Sequence, residues 1–312
     1  MIVEFLLLVA GLVLLYYGSE FLVRGAASTA ILFAVRPVIV GLTVVAFATS
    51  APELLVSLVA SVKGSGDISV GNILGSNVIN IALVLGLSAL IRPIKISGRI
   101  ARVEMPIMLG VCFLFWIICL DGVIGWGDGV LLLTILMAFL GYSIWTARDK
   151  NGDTVREKPS GKTLLRNGVM ILGGLIGLAK GADMVVQSAI IMAREIGLSE
   201  AFIGISIVAL GTSLPELATS AVAAAQGESD ISVGNVVGSN IFNVCMVMGL
   251  VGLIQPMTID KELLTFEFPF MIIIVLFLQA VCWWAKGIGR VMGGFFVLLF
   301  ILYIVGALFN GV

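Results

Sequence analysis

The sequence predicts an all-α integral membrane protein whose ten transmembrane helices form two inverted five-helix repeats. Three observations lead there. Of the 312 residues, 60% are hydrophobic and only 12% charged, with a mean hydropathy of +1.16, too apolar for a globule whose surface faces water. Apolar runs long enough to cross a bilayer recur along the whole chain. Residues 41–96 also align without a gap on residues 204–259, at a constant offset of 163 positions, with about half of the aligned residues identical.

The predicted spans are 2–23, 37–62, 69–91, 104–120, 128–147, 165–191, 201–225, 232–254, 268–285 and 291–309. The first lacks the basic leader and small-residue cleavage site of a signal peptide, so it reads as a retained helix. The longest polar stretch, Arg148 to Lys162, divides the chain into a first half (1–147), a linker (148–163) and a second half (164–312). Basic residues concentrate in the odd-numbered connections, among them Arg24, Arg36, Arg92, Lys95, Arg99, Arg102, Arg148 and Lys150. The even-numbered ones hold only Lys63, Arg194 and Lys261. The odd connections are therefore expected in the cytoplasm, with both termini outside a cell membrane. Because each half has an odd number of spans, the second must insert upside down relative to the first, which is an inverted repeat. The offset also carries Gly11 and Gly18 onto Gly174 and Gly181, and Glu20 onto Asp183.

The duplicated block breaks the apolar pattern at the same place in each half. Thr49-Ser50-Ala51-Pro52-Glu53 corresponds to Thr212-Ser213-Leu214-Pro215-Glu216. Proline inside a spanning helix withholds a backbone donor and displaces the carbonyl one turn earlier, so both helices should kink or unwind beside Ala46–Thr49 and 209–212. Freed carbonyls, the four hydroxyls and the two carboxylates together offer oxygen ligands suited to a hard cation. A charge at mid-membrane costs roughly 2.5–3.5 kcal/mol on insertion scales, so Glu53 and Glu216 point to function. Gly71, Gly75 and Ser76, with their counterparts, read as small-residue helix packing; Asn72, Asn77, Asn235 and Asn240 read as interhelical hydrogen bonders. Glu20 with Arg24, and Lys180 with Asp183, have the spacing of ion pairs and are expected near the cytoplasmic boundary. Asp67 and Asp230 read as loop or helix-cap residues, with an outside ion entrance as the alternative for one of them and, by symmetry, not both.

Histidine is absent, which removes the commonest ligand for zinc, copper and nickel. Cys112, Cys119, Cys245 and Cys282 form no CxxC pair and sit in apolar runs, so no disulfide is expected. No cofactor and no nucleic-acid partner are expected, and one chain should suffice for function.

The paired blocks ATSAPELLVS with GNILGSNVIN, and GTSLPELATS with GNVVGSNIFN, resemble the two α-repeats of the Ca²⁺/cation antiporter superfamily, specifically its sodium/calcium exchanger branch. The resemblance spans essentially the whole chain. It implies a central core of motif helices across which the long first and sixth helices slide. It further implies that Glu53 and Glu216 bridge a transported Ca²⁺. Thr49, Ser50, Thr212 and Ser213 and the carbonyls of Ala46 and Ala209 would complete Na⁺ and Ca²⁺ coordination, and Asn80 and Asn243 would lie at the centre. Some relatives carry aspartate at the position of Asn243; asparagine in both halves sets the expected site charge at −2 and argues against potassium dependence.

The expected function is therefore electrogenic Na⁺/Ca²⁺ antiport by alternating access rather than an enzyme reaction. Two alternatives stay open. A proton-driven antiporter for calcium or another divalent cation would use the same glutamates, although Ile73, Leu74, Val236 and Val237 stand where such proteins usually carry a Glu-His element. A cation channel could also be lined by carboxylates.

Overall fold

The computed structural model describes residues 2–147, 160–195, 209–261, 263–285 and 287–310, without the side chains of 209 and 307–310. Most of the 148–163 linker and the start of the second duplicated block, 204–208, lie outside the described residues. The rest is helical: α1 (Ile2–Leu32), α2 (Pro37–Thr49), α3 (Ala51–Val62), α4 (Gly66–Ile91), α5 (Ile100–Asp121), α6 (Trp126–Trp145), α7 (Gly161–Glu195), α8 (Ala209–Thr212), α9 (Leu214–Gln226), α10 (Ser229–Ile254), α11 (Leu263–Ala285) and α12 (Arg290–Asn310). Among the described residues, seven helices are long and apolar enough to cross a membrane, and the bent pair α2 and α3 makes an eighth span.

Burial sorts these helices into layers. The most apolar stretches of α4 and α10 are 78% and 83% buried, against 22% for both α1 and α7. The duplicated segments therefore form the centre, and the two longest helices lie outermost. Helices α1 and α7 extend beyond the predicted spans and pack antiparallel along a line of glycines. A methyl group on Gly18 would stand 2.9 Å from the Gly174 carbonyl, and one on Gly174 would stand 2.7 Å from that of Gly18. Only glycine permits so close an approach.

Loops from the two halves meet at each end of the bundle. At one end Ile94–Lys95 (β1) pairs antiparallel with Gly287–Ile288 (β4), the Arg36 amide donates to the Ala147 carbonyl at 3.2 Å, and Arg92 Nη1 donates to the Ala225 carbonyl at 3.3 Å. At the other end Val123–Ile124 (β2) pairs antiparallel with Met257–Thr258 (β3), and the Asp260 amide donates to Asp67 Oδ1 at 2.8 Å. The strand clips repeat the duplication, since the segment after α4 pairs with the α11–α12 turn as the segment after α10 pairs with the α5–α6 turn. Two-residue strands have no stability of their own; they tie the ends of helices that already pack.

Candidate cation site

Both proline motifs break their helices as the sequence predicts. Ser50 (φ −80°, ψ 3°) separates α2 from α3, which are inclined by 42°, and Ser213 (φ −88°, ψ 6°) separates α8 from α9. Proline stands in the first turn of both α3 and α9, where its missing N–H costs least. The breaks turn Glu53 and Glu216 inward, and both carboxylates are completely buried.

The halves complete one another at this point. Ser213 Oγ donates to Glu53 Oε1 at 3.4 Å, and Thr212 and Ser76 stand beside the same carboxylate. Glu216 lies close enough to Glu53 for their charges to interact, with the Thr49 and Ser239 hydroxyls nearby. Thr49 Oγ1 donates to Asn235 Oδ1 at 3.1 Å and lies 3.2 Å from Ser239 Oγ. Close helix crossing brings these groups together: a methyl on Gly238 would meet Ala46 Cβ at 2.6 Å and the Leu42 carbonyl at 2.7 Å.

The asparagines hold this centre with the same bonds in each half. Asn72 Nδ2 donates to Ser57 Oγ at 3.0 Å and to the Glu53 carbonyl at 3.4 Å; Asn235 Nδ2 donates to Ser220 Oγ at 3.0 Å and to the Glu216 carbonyl at 3.5 Å. Across the halves, Asn80 Nδ2 donates to Asn240 Oδ1 at 3.3 Å and Asn243 Nδ2 to Asn77 Oδ1 at 3.2 Å. Asn80 and Asn243 each open a π-helical turn, Asn80–Leu85 and Asn243–Met248, a wider winding often found at functional sites.

Several oxygens around the two carboxylates are left without a protein partner. Glu53 Oε2, both Glu216 carboxylate oxygens, Ser50 Oγ, Ser76 Oγ, Asn80 Oδ1 and Asn243 Oδ1 are buried without a hydrogen-bond partner among the described residues. Unmatched buried acceptors, three of them on the two carboxylates, are costly unless a cation compensates them. The expected ligand carbonyl of Ala46 is not free, because it accepts the Ser50 amide at 3.0 Å and the Thr49 hydroxyl at 3.4 Å. Pro52 instead withholds a donor from the carbonyl four residues earlier, that of Ala48. Ala209 opens α8 at the edge of the described residues. Among the described residues no group of three or more His, Cys, Asp or Glu side chains forms a metal cluster; the oxygens here come from two carboxylates with hydroxyls and amides.

Two expectations about charges need correction. Glu20 pairs with Arg24 at 2.5 Å, but among the described residues Lys180 and Asp183 form no ion pair. Nor do Glu20 and Asp183 share a boundary, because the antiparallel α1–α7 crossing carries these equivalent residues toward opposite ends. Asp183 instead lines a cavity of about 390 Å³ that reaches Thr49 and Thr212.

A second duplicated acid escaped the sequence reading. Glu104-Met105-Pro106 and Glu267-Phe268-Pro269 match at the same offset of 163, each at the end of a π-helical turn, and both glutamates are 2% exposed. Glu104 Oε1 pairs with Arg99 Nε at 2.5 Å, whereas Glu267 Oε2 accepts the Tyr303 hydroxyl at 2.8 Å. One turn on, Met108 accepts from Asn240 Nδ2 at 3.5 Å and Met271 from Asn77 Nδ2 at 3.7 Å. These helices buttress the central asparagines. Extending the self-comparison beyond residue 96 was the signal that would have found them.

Comparison with known proteins agrees with this architecture. The chain is 37% identical over 311 residues to the inner membrane protein YrbG of Escherichia coli, covering 95% of this chain and 96% of that one. It is 31% identical to the sodium/calcium exchanger MaX1 of Methanosarcina acetivorans, over 88% of this chain and 90% of the other. The solved structure of the sodium-calcium exchanger NCX_Mj soaked with zero Na⁺ and Ca²⁺ superimposes with a TM-score of 0.86 at 33% identity, covering 98% and 99% of the two chains. Residues 3–145 and 167–309 both match the family model described as sodium/calcium exchanger protein, and the chain belongs to that family.

Proposed function

We propose that this protein is a Na⁺/Ca²⁺ antiporter working by alternating access, with Glu53 and Glu216 as the carboxylates that both ions share. The observation that carries the reading is the set of buried oxygens without partners around those two residues. Two carboxylates neutralise one Ca²⁺; three Na⁺ on the same groups would leave one net positive charge. Either load compensates the buried acceptors, and the bare site does not. Interconversion between inward-open and outward-open forms is then favourable when loaded and costly when empty, which couples the two fluxes.

The ligand set in this reading comprises Glu53, Glu216, Thr49, Ser50, Thr212, Ser213, Asn80 and Asn243, with the Ala209 carbonyl and with that of Ala46 once the Thr49 hydroxyl turns from it to the ion. The full arrangement is ten spans in two inverted halves, 1–147 and 164–312, joined by a cytoplasmic linker at 148–163, with both termini outside. Loops after α1, α4, α6, α9 and α11 meeting at one end, and those after α3, α5 and α10 at the other, support that count.

Purified protein in liposomes tests the reading. An outward sodium gradient should drive ⁴⁵Ca²⁺ uptake, a proton gradient of equal size should not, and Mg²⁺ and Mn²⁺ should compete weakly. Uptake driven by protons alone would assign the proton-coupled alternative. Calcium equilibration with no ion required on the opposite side would assign a channel.

A further inference from the structure

The cavity beside the site has one charged residue on its wall. It is bounded by Ala48, Thr49, Pro52, Leu55 and Val56 of α2 and α3, by Leu175 to Val186 of α7, and by Gly211, Thr212 and Pro215. Thr49 and Thr212 belong to the cation site, so the cavity leads to it. A second hollow of about 410 Å³ shares Leu55 and Val56 and continues to Lys63, Ser65 and Ile68, at the end where Asp67 meets Asp260. Asp183 is exposed, and neither Lys180 nor any other described cation pairs with it. Its counterpart Glu20 lies toward the opposite end and is neutralised by Arg24 at 2.5 Å. The halves therefore differ in a way that matches access: among the described residues the acid on the cavity wall is unpaired, and its equivalent is paired.

We infer that Asp183 captures hydrated cations entering the cavity from the Lys63 end and raises the rate at which they reach Thr49 and Thr212. This deepens the exchange reading and rests on it for the identity of the ions. Asp183 is the one carboxylate among the described residues lining the two hollows, and Lys63 at the mouth is exposed to solvent; within the passage the carboxylate attracts a divalent ion more than a monovalent one, because the interaction scales with charge. At about 10 Å through water-like dielectric, the attraction for Ca²⁺ corresponds to a local enrichment of about three- to fivefold. Salt weakens it, since the screening length shortens from about 30 Å at 0.01 M to about 10 Å at 0.1 M.

The test compares wild type, Asp183→Asn and Asp183→Glu, both as stopped-flow Ca²⁺ association with the detergent-purified protein and as sodium-driven ⁴⁵Ca²⁺ uptake in liposomes. Asp183→Asn should slow association and raise KM for Ca²⁺ about three- to fivefold at low ionic strength, with little change in the saturating rate. The gap should shrink when N-methylglucamine chloride is added, and Asp183→Glu should restore wild-type values. Equal association rates and equal salt dependence in wild type and Asp183→Asn would overturn the inference, as would a lower saturating rate at unchanged KM. An Asp183-dependent association rate in a protein that shows no sodium-driven uptake would support the inference and reject the exchange reading.

Discussion

Ser213 Oγ donates to Glu53 Oε1 across 3.4 Å, so a hydroxyl from the second repeat orients the carboxylate of the first. The two copies of the motif thus meet at one centre, each contributing groups to it.

Removing that donor should weaken ion binding without emptying the site. A hydrogen bond to a charged group is worth about 1.5–3 kcal/mol net, and this one is long. Ser213→Ala should therefore raise KM for Ca²⁺ in liposome exchange about tenfold, and Ser213→Thr should recover most of the loss. A wild-type KM in Ser213→Ala would show that the contact does not orient Glu53.

Three-for-one exchange moves one net charge per cycle, opposite to calcium. An inside-negative potential of about 60 mV, set by a potassium diffusion gradient, should lower the calcium accumulation ratio in sodium-loaded vesicles about tenfold. A ratio insensitive to potential would indicate two-for-one exchange.

Much of this was legible in the chain. The proline motifs place their breaks at Ser50 and Ser213 because a missing backbone donor is a local effect that packing cannot repair. The amides of Asn72 and Asn235 bond as interhelical groups because a bilayer supplies no water to satisfy them. What the chain did not disclose depends on how helices cross. The π-helical turns at Asn80 and Asn243 are changes of winding stabilised by neighbours, with no residue that demands them. Likewise, the spacing of Lys180 and Asp183 permits a pair, but the α7 face that carries Asp183 is turned to the cavity. Glu104 and Glu267 were visible in principle, since their Glu-x-Pro pattern repeats at the same offset.

Orientation can be read with single cysteines. A cysteine replacing Gly152 should be labelled only from the cytoplasmic side, and one replacing Val312 only from outside; both positions lie outside the described residues. The native cysteines are buried and should give little background. Labelling of both introduced positions from one side would break the inverted ten-span arrangement.

Asparagine at position 243 supplies a neutral oxygen, so potassium should not stimulate wild-type exchange. Asn243→Asp would add a third carboxylate near Glu53 and Glu216, and compensating it requires one more positive charge. Calcium transport by the variant should then depend on an added monovalent cation or proton. Strong potassium stimulation of the wild type, or an unchanged ion requirement in Asn243→Asp, would remove this position from the site.

Competition at Glu53 and Glu216 is the centre of the account, and equilibrium binding of ⁴⁵Ca²⁺ to the purified protein measures it directly. Wild type should bind one Ca²⁺ per chain and release it as Na⁺ rises, with a steep sodium dependence; Glu53→Gln and Glu216→Gln should each remain folded in the membrane, lose binding by about 100-fold or more, and lose exchange. Normal calcium binding in either variant, or calcium binding that sodium does not displace, would contradict it.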